Sequence, residues 1–239
     1  MIFRGAALTG SLSAISGSCG RSSTPCQSFI LYDSTVRNLF GPSALGWPQL
    51  LDSLHVYVLP RPEFAGAVQP AVDVIAQFDF CVPVAPQWMH ATVTRIPWWR
   101  HEVDDRALRE FGRALDAMTT ERAAFTIKML GPTPHETSVG MEARSNTPWR
   151  RLLDDTRDAA VQIFGAGRML PTPPTRPHVS LGYCVADADS QQLESALQAV
   201  DISTELAIDE LCFVAVHQDP SAGTFTWDLI SSHRLSPES

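Results

Sequence analysis

His90-Ala91-Thr92-Val93 and His178-Val179-Ser180-Leu181 decide how this chain is read. Each string runs histidine, apolar, hydroxyl, apolar. In a β-strand successive side chains point to opposite faces, so His90 and Thr92 share one face while Ala91 and Val93 turn to the other. His178 and Ser180 stand in the same relation, backed by Val179 and Leu181. Each string thus offers an imidazole and a hydroxyl from one rigid edge, with apolar residues anchoring it in a core. Two such edges brought together make a site with paired acid/base groups and paired hydroxyl donors. That set suits a phosphate ester.

The pattern alone is weak. Seven histidines in a chain rich in Ser and Thr yield roughly one His-x-Ser/Thr triplet by chance, as short motifs do. Three occur, because His135-Glu136-Thr137 also fits. Context separates them. His135 follows Gly131-Pro132-Thr133-Pro134 and carries a charge at the middle position, so it reads as loop. The other two lie in alternating segments, Trp88 to Ile96 and Arg176 to Tyr183, that read as strands.

Composition bounds the rest. The chain has 239 residues, 44% of them hydrophobic, enough for one sizeable core or two small lobes. The net charge of −8 argues against a broad duplex-coating surface, which rests on many Lys/Arg–phosphate contacts. A small anion or a nucleic-acid end needs only a local positive pocket. Cys19, Cys26, Cys81, Cys184 and Cys212 are odd in number and form no CxxC, so neither a disulfide framework nor a zinc ribbon is indicated, and a reducing cytoplasm is expected. No apolar run approaches the roughly 20 residues that span a bilayer. Residues 1–50 read as an irregular or flexible extension and 51–239 as a single domain.

Along that domain, Leu54 to Leu59 reads as a strand stopped by Pro60 and Pro62. A helix is expected over 63–78, weakened by Gly66 and Pro70. A short strand follows at 80–84, then the first histidine strand at about 88–96. Asp104 to Met118 carries Leu108, Phe111 and Leu115 at helical spacing. A strand over 125–130, a turn holding His135 and a strand over 138–143 come next. Thr147 reads as an N-cap, with Pro148 opening a helix that Gly165 ends. Pro171, Pro173, Pro174 and Pro177 make a stiff approach to the second histidine strand. A helix at 189–199 and strands at 204–216 and 224–233 close the chain, the last two joined by the turn Asp219-Pro220-Ser221-Ala222-Gly223. The class is α+β with mainly antiparallel sheet. The similar order in the two halves, with strings 88 residues apart (178 − 90), predicts two related lobes facing a shared central cleft.

With these elements in order, the chain resembles the two-histidine (2H) phosphoesterase superfamily, in its 2′-5′ RNA ligase/cyclic phosphodiesterase-like branch. That family carries two H-x-[ST]-apolar strings, the second as P-H-[VI]-[ST]-L, matched here by Pro177 to Leu181. The closing segments Asp209 to Val216 and Phe225-Thr226-Trp227 also match, and the likeness covers about residues 52–235. It implies a bilobal, pseudo-symmetric fold and metal-independent work on 2′,3′-cyclic phosphates or 2′,5′-phosphodiester bonds of RNA ends or nucleotides. It implies no cofactor, no metal, no membrane partner and a monomer.

Histidine titrates near pH 6.5, so both protonation states are available around neutrality. Opening a cyclic phosphodiester needs a base for water and an acid for the leaving oxygen, and His90 with His178 supply both. Thr92 and Ser180 would donate to the non-bridging oxygens. Arg176 is a candidate phosphate clamp, with a solvated loop arginine as the plain alternative. Tyr57, sharing a strand face with His55, is a candidate to stack on a base, with core packing the plainer role. Trp98 and Trp99 are candidate cleft walls. Three other readings stay open: reverse-direction ligation, a nucleotide- or RNA-end-binding module without turnover, and a zinc hydrolase with Cys184 as third ligand. The last requires the strand to stay regular through Gly182.

Overall fold

Two antiparallel sheets, each backed by helices, frame the molecule. The computed structural model describes residues 35–41, 51–169 and 176–237. Expectations placed on Cys19, Cys26, most of the extension and the prolines at 171–174 lie outside these residues. In chain order the strands are β1 (Thr35–Val36), β2 (Ser53–Val58), β3 (Cys81–Pro83), β4 (Ala91–Trp99), β5 (Phe125–Lys128), β6 (Leu130–Pro134), β7 (Ser138–Glu142), β8 (His178–Cys184), β9 (Ala188–Asp189), β10 (Glu205–Ile208), β11 (Glu210–Asp219) and β12 (Thr224–Arg234). The helices are α1 (Pro62–Ile75), α2 (Asp105–Thr120), α3 (Thr147–Phe164) and α4 (Gln191–Gln198).

One sheet has the order β12-β11-β2-β4 and is covered by α2 and α3; the other runs β3-β8-β7-β6 and packs against α1 and α4. The sheets meet where β4 packs on β8. The two histidine strands thus form the seam between lobes. The lobes do not follow the two halves of the sequence, as the repeat of strand order suggested. The first takes β11 and β12 from the far end of the chain, and the second takes β3, β6 and β7 from its middle.

The helices form where periodicity and caps coincide. Asp104 caps α2 by accepting from the Ala107 amide at 2.7 Å, a contact worth ~1 kcal/mol. Leu108, Phe111 and Leu115 turn inward, each burial stabilising by about 1.5–3 kcal/mol. In α3 the cap is Asn146, not Thr147: its side chain accepts from Trp149 N at 2.8 Å, and Thr147 and Pro148 take the first two helical positions. Gly165 closes the helix at φ 85°, a conformation costly for residues with a Cβ.

Several boundaries differ from expectation. The first histidine strand, expected at about 88–96, is Ala91–Trp99, because Pro86–Trp88 forms a 3-10 turn just before His90. Residues 131–134, read as turn, form β6, an edge strand whose prolines cost no ladder bond on the open side. The strand expected over 204–216 breaks at Asp209, which ion-pairs with Arg61; β10 pairs with β5 while β11 joins the first sheet. Residues 35–41, assigned to the extension, belong to the body. β1 pairs with β9, and the Leu39 amide donates to the Cys184 carbonyl at 2.8 Å. Val36 and Leu39 are buried.

Candidate active site

A β-bulge interrupts each histidine strand just after its hydroxyl residue. In β4, Tyr57 opposes Thr92 but Val56 opposes Thr94, so Val93 is the extra residue. In β8, Gly140 opposes Ser180 but Val139 opposes Gly182, so Leu181 is extra. A bulge resets the alternation of faces. One face of β4, continued back to His90 just before it, therefore carries His90, Thr92 and Arg95, and the matching face of β8 carries His178, Ser180 and Tyr183. The two triplets have the same spacing, i, i+2 and i+5, and the two strands pack against each other. The pattern H-x-[ST]-x-x-[RY] was present in the sequence, but without the bulges its third member falls on the wrong face.

Each imidazole is held in the same way. His90 Nδ1 meets the Trp88 carbonyl at 3.0 Å, and His178 Nδ1 meets the Arg176 carbonyl at 3.2 Å. A carbonyl only accepts, so Nδ1 carries the proton and Nε2 remains for chemistry. The Arg176 contact to His178 is made by its backbone carbonyl, not by its side chain. That side chain is exposed and lies 3.6 Å from Glu142, beside a groove of about 560 Å³ that His135 and Arg144 also line.

His90 sits in an aromatic box. Tyr57 stacks on it at 4.0 Å between ring centres, and Trp227 meets it edge-on at 5.1 Å. Trp88 packs against Trp227 in turn. Burial drives the His90 pKa down to about 4, partly offset by the Trp88 carbonyl, and the charge of His178 lowers it further. The imidazole is therefore neutral near pH 7.

Tyr57 does not offer a face to a base. It is 2% exposed, its ring is covered by His90, and its hydroxyl bonds His55 Nδ1 at 2.8 Å. Its role is to support the His90 ring. Burial pushes the Tyr57 phenol up and His55 well down, so both stay neutral. Ser180 shares a hydrogen bond with the Tyr183 phenol. Tyr183 packs edge-on against Phe225 at 5.1 Å, and Phe40 closes on both rings. Trp98 and Trp99 do not wall this site: Trp98 packs on Phe164, and Arg168 lies over both indoles. Sequence reasoning missed Trp88, Arg95, Tyr183 and Trp227. The period-two pair Phe225 and Trp227 was the available signal for the last.

Cys184 cannot join His178 as a metal ligand. The bulge turns it to the opposite face, where it is buried with its sulfur 3.5 Å from that of Cys81. Among the described residues, Asp52, His217 and Asp228 bring ligand atoms within 4.8 Å of one another. They lie at the other end of β2 from His90. The two carboxylates face different ring nitrogens, Asp52 near Nδ1 at 3.7 Å and Asp228 near Nε2 at 3.4 Å. The carboxylates flank the ring at different nitrogens rather than sharing one point with a single ring lone pair.

No protein-family model matches the chain, and no curated protein matches it. Solved structures do. TT0787 of Thermus thermophilus superposes with a TM-score of 0.61 at 16% identity, covering 78% of this chain and 100% of that one. E. coli LigT in apo form gives 0.53 at 14% identity, covering 77% and 98%. A structure described as a phosphoesterase gives 0.53 at 15%, covering 79% and 99%. LigT has the same likeness in complexes with 3′-AMP, TM-score 0.52, and with phosphate, TM-score 0.51. At such identities the likeness is one of fold: this chain has the α+β fold of TT0787, of LigT and of that phosphoesterase.

Proposed function

We propose that the chain is a metal-independent phosphodiesterase that opens 2′,3′-cyclic phosphates or cleaves 2′,5′-phosphodiester bonds of RNA ends or nucleotides. The observation that carries this reading is the matched tethering of His90 and His178. Both rings have Nδ1 committed to a carbonyl two residues upstream, which leaves two Nε2 atoms at the seam where β4 packs on β8. LigT, which shares the fold, binds 3′-AMP and phosphate, and a nucleoside phosphate of that size suits a seam lined with aromatic rings.

His90, held neutral by burial, is the base. Its Nε2 takes a proton from water as the water oxygen bonds to phosphorus. His178 Nε2–H gives a proton to the departing ribose oxygen as the P–O bond breaks. Each role contributes ~10²–10⁴ in rate. Thr92 and Ser180 donate to the non-bridging oxygens, and Arg95 supplies positive charge on the same face. In reverse, the same two groups exchange roles and form the bond.

The test is a panel of 2′,3′-cyclic nucleotides and 2′,5′-linked oligonucleotides assayed with EDTA. His90→Ala and His178→Ala should each lower kcat/KM by about 10²-fold or more. Full activity in either variant, or activity abolished by EDTA, would overturn the proposal.

A further inference from the structure

A second constellation lies on the opposite face of the first sheet. Ser231 and His233 stand two residues apart on β12, opposite Phe213 and Leu211 of β11, on the side that α2 covers. Ser231 Oγ is 2.8 Å from His233 Nε2, and His233 Nδ1 is 2.6 Å from Asp116 Oδ1 of α2. A carboxylate only accepts, so Nδ1–H donates to Asp116 and Nε2 presents its lone pair to the Ser231 hydroxyl. His233 is 3% exposed, which fixes the ring. This is the nucleophile–base–orienting-carboxylate relation of acyl-transfer enzymes.

The relay opens into a pocket of about 440 Å³ between α2 and β12, whose lining includes Arg100, Arg109 and Arg113. Among the described residues none of these arginines is ion-paired. Gly112, between Arg109 and Arg113, packs over the pair while Ser231 still lines the pocket: a Cβ on Gly112 would stand 3.6 Å from both Ser231 Oγ and His233 Cε1.

We propose that Ser231, His233 and Asp116 form a second catalytic site, a serine esterase for acyl esters whose acyl group carries a carboxylate or phosphate. Ser231 Oγ attacks the carbonyl carbon and its proton passes to His233 Nε2. The carbon–oxygen bond to the alcohol breaks, and that proton goes to the leaving oxygen. Water then attacks the acyl-serine with His233 again taking the proton, releasing the acid and restoring Ser231. Arg109 and Arg113 hold the anionic end of the acyl group.

The full chain is treated with an alkyl fluorophosphonate and the adduct located by mass spectrometry. Ser231 should be modified, with fluoride leaving. Asp116→Asn, at an exposed position, should slow labelling about tenfold or more. Gly112→Ala fits sterically and favours the helix, yet should block labelling because its methyl covers Oγ. With p-nitrophenyl esters, the glutarate monoester should be preferred over butyrate, and Arg109→Gln with Arg113→Gln should raise KM about tenfold for the former alone, as lost charge pairing does. A hydrogen-bond chain that merely pins α2 to β12 would leave folded Ser231 inert, or labelled at the same rate in Asp116→Asn, and either result overturns the proposal. Because the adduct is mapped to one residue, the outcome is independent of phosphodiester cleavage.

Discussion

Stacking of Tyr57 on His90 sets the chemistry of the imidazole more than any charge near it. An imidazolium over an aromatic face gains some cation–π attraction, but here the loss of water outweighs it and the pKa falls to about 4. The base form of His90 should persist well below neutrality. The pH–rate profile of kcat/KM should therefore keep its acidic limb near pH 4 to 5 rather than 6.5, with the alkaline limb reporting the acid. Tyr57→Leu removes the stacked ring and should move the acidic limb upward. An unchanged limb in that variant would show that the ring does not control the base.

At the level of the strand, the bulges decide which side chains meet. Arg95 reaches the His90 face because Val93 is extra, and Arg95→Gln should lower kcat/KM by about 10-fold or more, as loss of a donor to developing charge does. Gly140, opposite Ser180, is a second strand-level requirement. A Cβ there would lie 2.8 Å from the Val179 carbonyl oxygen, a backbone atom that cannot step aside without parting β7 from β8. Gly140→Ala should cost about 1–3 kcal/mol and lower the thermal midpoint by several degrees; calorimetry on the folded variant checks it. Alternation and capping residues made β2, β4, β8, α2 and α3 legible, and with them the shared face of His90 with Thr92 and of His178 with Ser180. The bulges were not, because an extra residue is defined by the partner strand and not by its own side chain. For the same reason Arg95 and Tyr183 went unread, and so did the relay of Asp116 with His233, which joins residues 117 positions apart.

For the molecule as a whole, buried neutral histidines make stability depend on acid. His55 and His90 both have lowered pKa values, so the unfolded chain binds their protons first. Stability is complete above about pH 6.5 and falls as pH drops toward 4, by at most ~1.4 kcal/mol per pH unit for each ring. The urea midpoint should drop between pH 7 and 4.5, and His90→Gln should reduce that drop. An equal drop in the variant would mean that His90 takes its proton as readily folded as unfolded.

The segment 35–41 has a practical consequence for anyone trimming this chain. A fragment begun at the obvious strand, residue 51, would strip the covering from Cys184's strand and remove Phe40 from the rings of Tyr183 and Phe225. It would keep every residue of the two histidine strings and still lose the ring that packs on Tyr183, the residue five positions after His178. A fragment that keeps these contacts must include residues 35–41.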